Sequence, residues 1–180
     1  MKLNFKFKTK NTDGTLLYFG SNDESDFMRV SLVDGYVRLE IEVTDRRGRT
    51  EPLIFDSFLS HADGNEHLVK ILIEKDEQNS CKVVEMTISG GGKNTDWNMD
   101  RLYTEESLKS NGILYLGGDN SQNDSQHHST SLDGSMAQVT VNDVVLHLVD
   151  DARHVGVLNS LNNWTFAKEK TYAANMHNTI

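Results

Sequence analysis

Short segments in which apolar and polar residues alternate recur along the chain, and this pattern restricts the possible folds more than any other feature. In the first segment, Leu3, Phe5 and Phe7 alternate with polar residues. Successive side chains of a β-strand point to opposite faces of a sheet, so each such segment predicts a strand with one buried face. Gly, Asn and Asp residues separate the segments, which is typical of antiparallel strands joined by turns.

The clearest predicted hairpin joins the alternating segments 28–32 and 37–43. Between them lies Asp34-Gly35, a dipeptide that favours a two-residue hairpin turn. A second hairpin is predicted from 67–74 and 82–89. Further strands are predicted at 15–20, 112–117, 135–141 and, after a turn at Asn142-Asp143, 144–148.

Helical periodicity is weak throughout the sequence. We expect at most one or two helical turns in 150–161, because that segment contains Gly156 and lacks a sustained apolar face. Many short strands with minor helix predict an all-β fold, a two-sheet antiparallel β-sandwich of the jelly-roll type, since an α/β fold would need a helix between successive strands. With 180 residues, of which 37% are hydrophobic, we expect a single domain over 1–180.

Charge and cysteine content restrict the function classes. The net charge is −9 and the isoelectric point is about 5.2, which disfavours binding to nucleic acid or to an anionic membrane. No apolar segment approaches the roughly 20 residues that span a bilayer, so we expect no direct membrane insertion. Cys81 is the only cysteine, so no intrachain disulfide can form. A first strand that begins almost at Met1 suggests one piece of a longer protein.

Several segments, in order, resemble the laminin G-like (LNS) domain family, which occurs in laminin α chains, neurexins, agrin and some cadherin ectodomains. They are DGTLLYFG at 13–20, DFMRVSLVDGYV at 26–37, DGNEH at 63–67, ILYLGG at 113–118 and DGSM at 133–136. The resemblance implies a concanavalin-like sandwich that acts as an extracellular adhesion module. Such a module binds a cell-surface or matrix protein or glycan through its rim loops. The alternative is a structural spacer that packs against neighbouring domains of a larger parent protein.

Many members of this family bind one Ca²⁺ at the sandwich rim, and the resemblance places that site on three residues. Asp26 would supply a carboxylate, while Val43 and Ser107 would supply backbone carbonyls. The family's second carboxylate falls on Lys109, and a cation that collects six to eight oxygens gains nothing from an ammonium group. Two alternatives stay open for Asp26: an ion pair with Lys109 in place of the metal, or a solvated position at a strand start.

Two further features bear on partners and compartment. Arg46, Arg47 and Arg49 form the one concentrated basic cluster, which predicts contact with an acidic glycan or protein surface unless it is only a solvated hairpin tip. Asn123 and Asn163 lie in N-x-S/T sequons, which fit an extracellular glycoprotein.

Catalytic chemistry has little support in the sequence, and we expect no enzyme activity. Glu40 and Glu42 project from one face of a predicted strand, the arrangement that a glycosidase needs, but any solvent-facing strand offers such a pair. His127 and His128 adjoin in a polar segment without ligands spaced to hold zinc. Calcium is therefore the one cofactor that the sequence raises.

Overall fold

The computed structural model describes residues 1–21, 26–43, 52–75, 81–98, 112–118, 131–146, 155–160 and 163–167. Within these ranges the chain forms thirteen β-strands and no helix. The strands are β1 (Lys2–Thr9), β2 (Gly14–Ser21), β3 (Phe27–Val33), β4 (Tyr36–Glu42), β5 (Leu53–Ser60), β6 (Glu66–Lys75), β7 (Cys81–Gly90), β8 (Lys93–Asn98), β9 (Gly112–Leu116), β10 (Gly134–Val141), β11 (Val144–Val145), β12 (Val155–Ser160) and β13 (Asn163–Ala167). The described residues contain no apolar helix long enough to span a membrane.

The strands form two sheets in which all neighbours are antiparallel. The six-stranded sheet has the order β11-β10-β1-β6-β7-β8, and the seven-stranded sheet has the order β13-β12-β9-β2-β3-β4-β5. Strands that are distant in sequence, such as β1 and β10, lie side by side, which is the crossing connectivity of a jelly roll. The predicted all-β sandwich is confirmed.

The core lies between the two sheets and follows the alternation in the sequence. Leu3, Phe5 and Phe7 of β1 are at most 1% exposed, and β4 buries Val37, Leu39 and Ile41 from the other sheet in the same way. Removing apolar side chains of this size from water is the main driving force for closing the two sheets on each other.

The two predicted two-residue turns are both present. Asp34 and Gly35 join β3 to β4 with φ of 52° and 85°, and Asn142 and Asp143 join β10 to β11 with φ of 49° and 64°. Two consecutive residues with positive φ are typical of type I′ turns, whose twist matches that of the flanking strands. Asp, Asn and Gly tolerate this conformation best, which explains the sequence at both turns.

The helical turns considered for 150–161 are not found in 155–160, the part of that segment that the structure describes. β12 occupies Val155–Ser160 there and pairs with both β9 and β13. Val155 and Val157 are β-branched and Gly156 disfavours a helix, so local propensity and sheet pairing agree. β5, β8 and β13 were also not predicted, because none of them shows a clear alternation of apolar and polar residues.

Candidate functional site

The β3–β4 hairpin brings two of the predicted rim residues together. Phe27 of β3 is the register partner of Glu42 of β4, so the residues that lie next beyond them, Asp26 and Val43, are at the same end of the hairpin. Backbone pairing along seven residues of each strand fixes this end relative to the core. A carboxylate and a strand-end carbonyl therefore lie at one edge of the sandwich.

Burial distinguishes this edge from an ordinary strand end. The Val43 side chain is 3% exposed and belongs to the core, so it anchors the backbone from which the chain leaves the sheet. Asp26 is 1% exposed, which shows that the expectation of a solvated residue at a strand start is wrong. Burying a carboxylate is energetically costly unless a charge or hydrogen bonds compensate it. Other groups of the rim must therefore stabilise Asp26 in this position.

An aromatic and ionic cluster on the outer face of the seven-stranded sheet supports this edge. The Tyr18 and Phe27 rings stack with their centroids 5.8 Å apart. The Arg29 guanidinium lies 5.2 Å from the Phe27 centroid and 5.6 Å from that of Tyr18, within the range of cation–π attraction. Arg29 Nη1 also lies 3.6 Å from Glu40 Oε2. Phe27 directly follows Asp26, so these contacts hold the start of β3 in place.

The same cluster bears on the predicted absence of catalysis. Glu40 and Glu42 do project to one face of β4, but Glu40 is paired with Arg29 and is 14% exposed. A carboxylate held in this way contributes to the sheet surface and is poorly placed to exchange protons with a ligand. Within the part of the chain that the structure describes, no three His, Cys, Asp or Glu side chains converge as metal ligands.

Of the remaining predicted site residues, the structure describes only Asn163. Arg46, Arg47, Arg49, Ser107, Lys109 and Asn123 lie outside the described residues. Asn163 is the first residue of β13, and its backbone pairs with Ser160 of β12. The roles assigned to these residues therefore stay predictions.

The structure also shows an exposed apolar surface that the sequence did not indicate. Tyr36, Ile54, Phe58 and Leu59, here called the β5 patch, are 41%, 48%, 75% and 43% exposed. They lie on β4 and β5, and β5 is an edge strand of the seven-stranded sheet. Exposed apolar groups on an edge strand are unusual for a monomer, because edges pair readily with other chains.

A bulge in β5 produces part of this exposure. Tyr36 pairs with Ser60 and Arg38 pairs with Asp56, so three residues of β5 oppose one residue of β4. Ser57 turns inward, where its Oγ accepts the Val37 N–H at 2.8 Å and donates to the Leu59 carbonyl at 2.8 Å. Two consecutive apolar residues that should alternate between faces, 58 and 59, therefore both lie at the surface.

The charge beside the β5 patch is compensated within the domain. Arg38 Nε and Nη2 donate to the two carboxylate oxygens of Asp56 at 2.6 and 2.9 Å. This hydrogen bonding to Asp56 raises the pKa of the Arg38 guanidinium above its usual value. The patch is therefore apolar with a locally neutral border.

Comparison with known proteins identifies the family. The laminin G domain model matches residues 7–144. Domains LG4-5 of the mouse laminin α1 chain superpose with a TM-score of 0.56 at 16% identity, over 81% of this chain and 36% of that one. The LG1-3 region of the laminin α2 chain gives 0.61 at 16% identity, over 92% and 30%. This chain thus spans about a third of each laminin structure, and the comparison with curated proteins gave no match. The chain belongs to the laminin G domain family.

Proposed function

We propose that this domain is an adhesion or recognition module of a secreted or membrane-anchored protein, and that it binds a cell-surface or matrix protein or glycan through its rim loops. Laminin G domains are typically non-enzymatic binding modules. The observation that carries the proposal is the hairpin end, where Asp26 and Val43 are buried and anchored beside the segments that we assign to the rim loops. Loops on a rigid scaffold commonly carry binding specificity.

The basic cluster lies close to this edge along the chain. Arg46 follows the anchored Val43 by three residues, and three residues span at most about 11 Å. Arginine recognises carboxylate and sulfate groups through paired N–H donors, which suits an acidic glycan or an acidic protein surface. Because the whole chain carries a charge of −9, such a partner would be attracted only locally, and this favours a defined contact over diffuse charge binding.

Retention on a column of sulfated or uronate-rich glycan tests this role. We expect the Arg46→Ala, Arg47→Ala, Arg49→Ala triple variant to lose retention, since it removes the donors. The matched control replaces three exposed lysines with alanine, Lys8, Lys10 and Lys70, and should keep retention because the change in charge is the same but the place is different. Equal loss of retention in both variants would show that the interaction depends on net charge alone. Unchanged retention of the arginine variant would refute the role of the cluster.

We propose further that the rim works without a resident calcium ion. Asp26 and Val43 offer two oxygen donors at one edge, but the family resemblance places Lys109 where other members have the second carboxylate. An ammonium group repels Ca²⁺ and can instead balance the buried Asp26 carboxylate. In this proposal Lys109 balances Asp26 in place of the ion, and the oxygen ligands that remain are too few for calcium.

The β5 patch favours a second candidate function, a spacer that docks against a neighbouring domain of a larger parent. Its exposed aromatic and aliphatic groups and its neutral border suit a protein surface better than a glycan. Both laminin structures that resemble this chain contain more than one such domain, as their descriptions LG4-5 and LG1-3 state. Unchanged glycan retention in the arginine variant would favour this candidate over rim recognition.

A further inference from the structure

A buried polar cluster, here called the histidine clasp, lies where the edges of the two sheets meet. It consists of His61, Asp63, His67 and Lys93, and both histidines are 0% exposed. His61 Nδ1 lies 3.3 Å from His67 Nδ1, and His67 Nε2 lies 2.8 Å from Asp63 Oδ1. Lys93 Nζ lies 2.9 Å from Asp63 Oδ2 and is the last group in this series of contacts. Four ionisable groups are thus connected in series.

These contacts determine where the protons lie. A carboxylate only accepts hydrogen bonds, so His67 Nε2 carries the hydrogen that is donated to Asp63. In the neutral ring, His67 Nδ1 is then an acceptor, and His61 Nδ1–H is its donor. His61 Nε2 is left without a hydrogen, and this buried atom has no hydrogen-bond partner. With both rings neutral, every contact of the series joins a donor to an acceptor.

The clasp joins elements from both sheets. His61 follows β5, and its N–H donates to the Gly35 carbonyl of the β3–β4 turn at 2.8 Å. His67 lies on β6, and Lys93 begins β8. Lys93 Nζ also donates to the Ser60 carbonyl of β5 at 2.5 Å. Since β5 and β8 are edge strands of different sheets, these bonds close the sandwich on that side.

His61 Nε2 has no hydrogen-bond partner that would compensate a proton added there. The Phe7 ring of β1 lies 5.5 Å from His67 and brings no charge. Glu66 of β6 is paired with Lys6 of β1 and is 57% exposed, so its carboxylate is engaged and solvated. Lys93 adds a positive charge, and Asp63 is already shared between Lys93 and His67.

We propose that these four side chains form an acid-released clasp, which holds β5 and β8 together at neutral pH and lets the two edges part when a histidine takes up a proton. A proton on His67 Nδ1 would make His61 Nδ1 the acceptor and move the His61 hydrogen to Nε2, which has no hydrogen-bond partner. A proton on His61 Nε2 would place an unpaired charge in a buried site. Either event leaves an unpaired N–H donor at the buried His61 Nε2.

The electrostatic surroundings agree with this geometry. Burial lowers the pKa of His61 from 6.5 to about 4, reinforced by His67 once that ring is protonated and by Lys93. Burial alone would raise the pKa of Asp63, but hydrogen bonds from Lys93, His67 and the Asn65 N–H lower it below its usual value. Asp63 therefore stays ionised while His61 stays neutral at pH 7.

The sign of the pH effect follows from the lowered pKa of His61. Between pH 6.5 and about 4 the folded state binds fewer protons at this ring than the unfolded state does. The contribution to stability is therefore complete above that window and declines as the pH falls through it. From pH 7 to pH 5 this one group reduces the folding equilibrium constant roughly 20-fold.

Denaturant unfolding of the wild type and of His61→Asn at pH 7 and pH 5 tests the clasp. Asn keeps a neutral N–H donor near the position of Nδ1 but cannot titrate. Between pH 7 and pH 5, the factor by which the folding constant decreases should therefore be roughly 20 times smaller for the variant than for the wild type. His127→Asn removes a histidine outside the clasp and should keep the wild-type pH dependence. The same pH dependence in the wild type and in His61→Asn would overturn the proposal.

Nitrogen-15 NMR of the wild-type histidine rings keeps the test decisive if the variant does not fold. We expect Nδ1–H on His61 and Nε2–H on His67 at pH 7.5, with His61 still neutral at pH 5.5. Hydrogen exchange of the His61 amide, corrected for its intrinsic pH dependence, should accelerate as the pH falls to 5, since that amide is bonded to Gly35. A His61 ring that titrates near its ordinary value in the folded domain would contradict the clasp.

Discussion

Replacing Gly90 with alanine should lower the free energy of unfolding by about 4 kcal/mol, a large part of the stability of a domain of this size. Gly90 is the last residue of β7 and pairs with His67 of β6. A Cβ at this position would lie 2.1 Å from the Glu66 carbonyl oxygen and 2.9 Å from the His67 Cα. Both atoms belong to the backbone of a paired strand, so they cannot move aside as a flexible side chain could.

Gly92 provides a matched control two residues away. Its φ is +75°, so alanine there also has the conformational cost of a left-handed backbone, but nothing lies within 4 Å of the added Cβ. We expect Gly92→Ala to lower the free energy of unfolding by only about 1 kcal/mol, which is the conformational cost. Denaturant unfolding of both variants at neutral pH measures the difference. Equal losses would show that β6 and β7 are not as close at Gly90 as the structure has them.

Phe5→Ala is the second change with a large expected effect, a loss of about 3–5 kcal/mol in the free energy of unfolding. Phe5 is 0% exposed and lies on β1, between β10 and β6 in the six-stranded sheet. Removing its ring takes away buried apolar area and leaves a cavity that the pairing of β1 with both neighbours keeps from collapsing.

Phe58→Ala makes the same chemical change at the surface. Phe58 is 75% exposed on the bulge of β5, so its removal should change the free energy of unfolding by less than about 1 kcal/mol. Denaturant midpoints and slopes of both variants provide the measurement. A comparable loss in Phe58→Ala would mean that the β5 patch is covered in the isolated domain, which would remove the basis for a docking surface.

The parts of the fold that the sequence predicted are those with one buried and one solvated face. β1, β3 and β4 alternate because each contributes every second residue to the core, and their turns contain the Asp, Asn and Gly that positive φ requires. β5 reads LIFDSFLS, with apolar residues on both faces, so its period is hidden by the exposed Phe58 and Leu59. β12 is defined by pairing with β9, which is more than 40 residues away in sequence.

The part of the candidate site that depends on neighbouring strands could also be predicted from the sequence. The placement of Asp26 and Val43 at one hairpin end follows from the register of two strands that are adjacent in sequence. The histidine clasp was not predictable, because it depends on how the β5 and β8 edges of two sheets meet. DGNEH at 63–67 supplied two of its members as a family marker, whereas nothing local to His61 or Lys93 indicates a shared network.

The response of the domain to calcium distinguishes a rim that is bridged by a metal ion from a rim that is held by protein groups alone. The direct measurement is the thermal melting midpoint of the wild type and of Asp26→Asn, each in millimolar calcium and in chelator. With Lys109 in place of the second carboxylate, we predict the same wild-type midpoint in both solutions. A ligand that binds the folded state raises the melting midpoint by roughly 5 to 10 °C near saturation. If calcium raises the wild-type midpoint by this amount and the rise is lost in Asp26→Asn, metal-free recognition at this rim is contradicted.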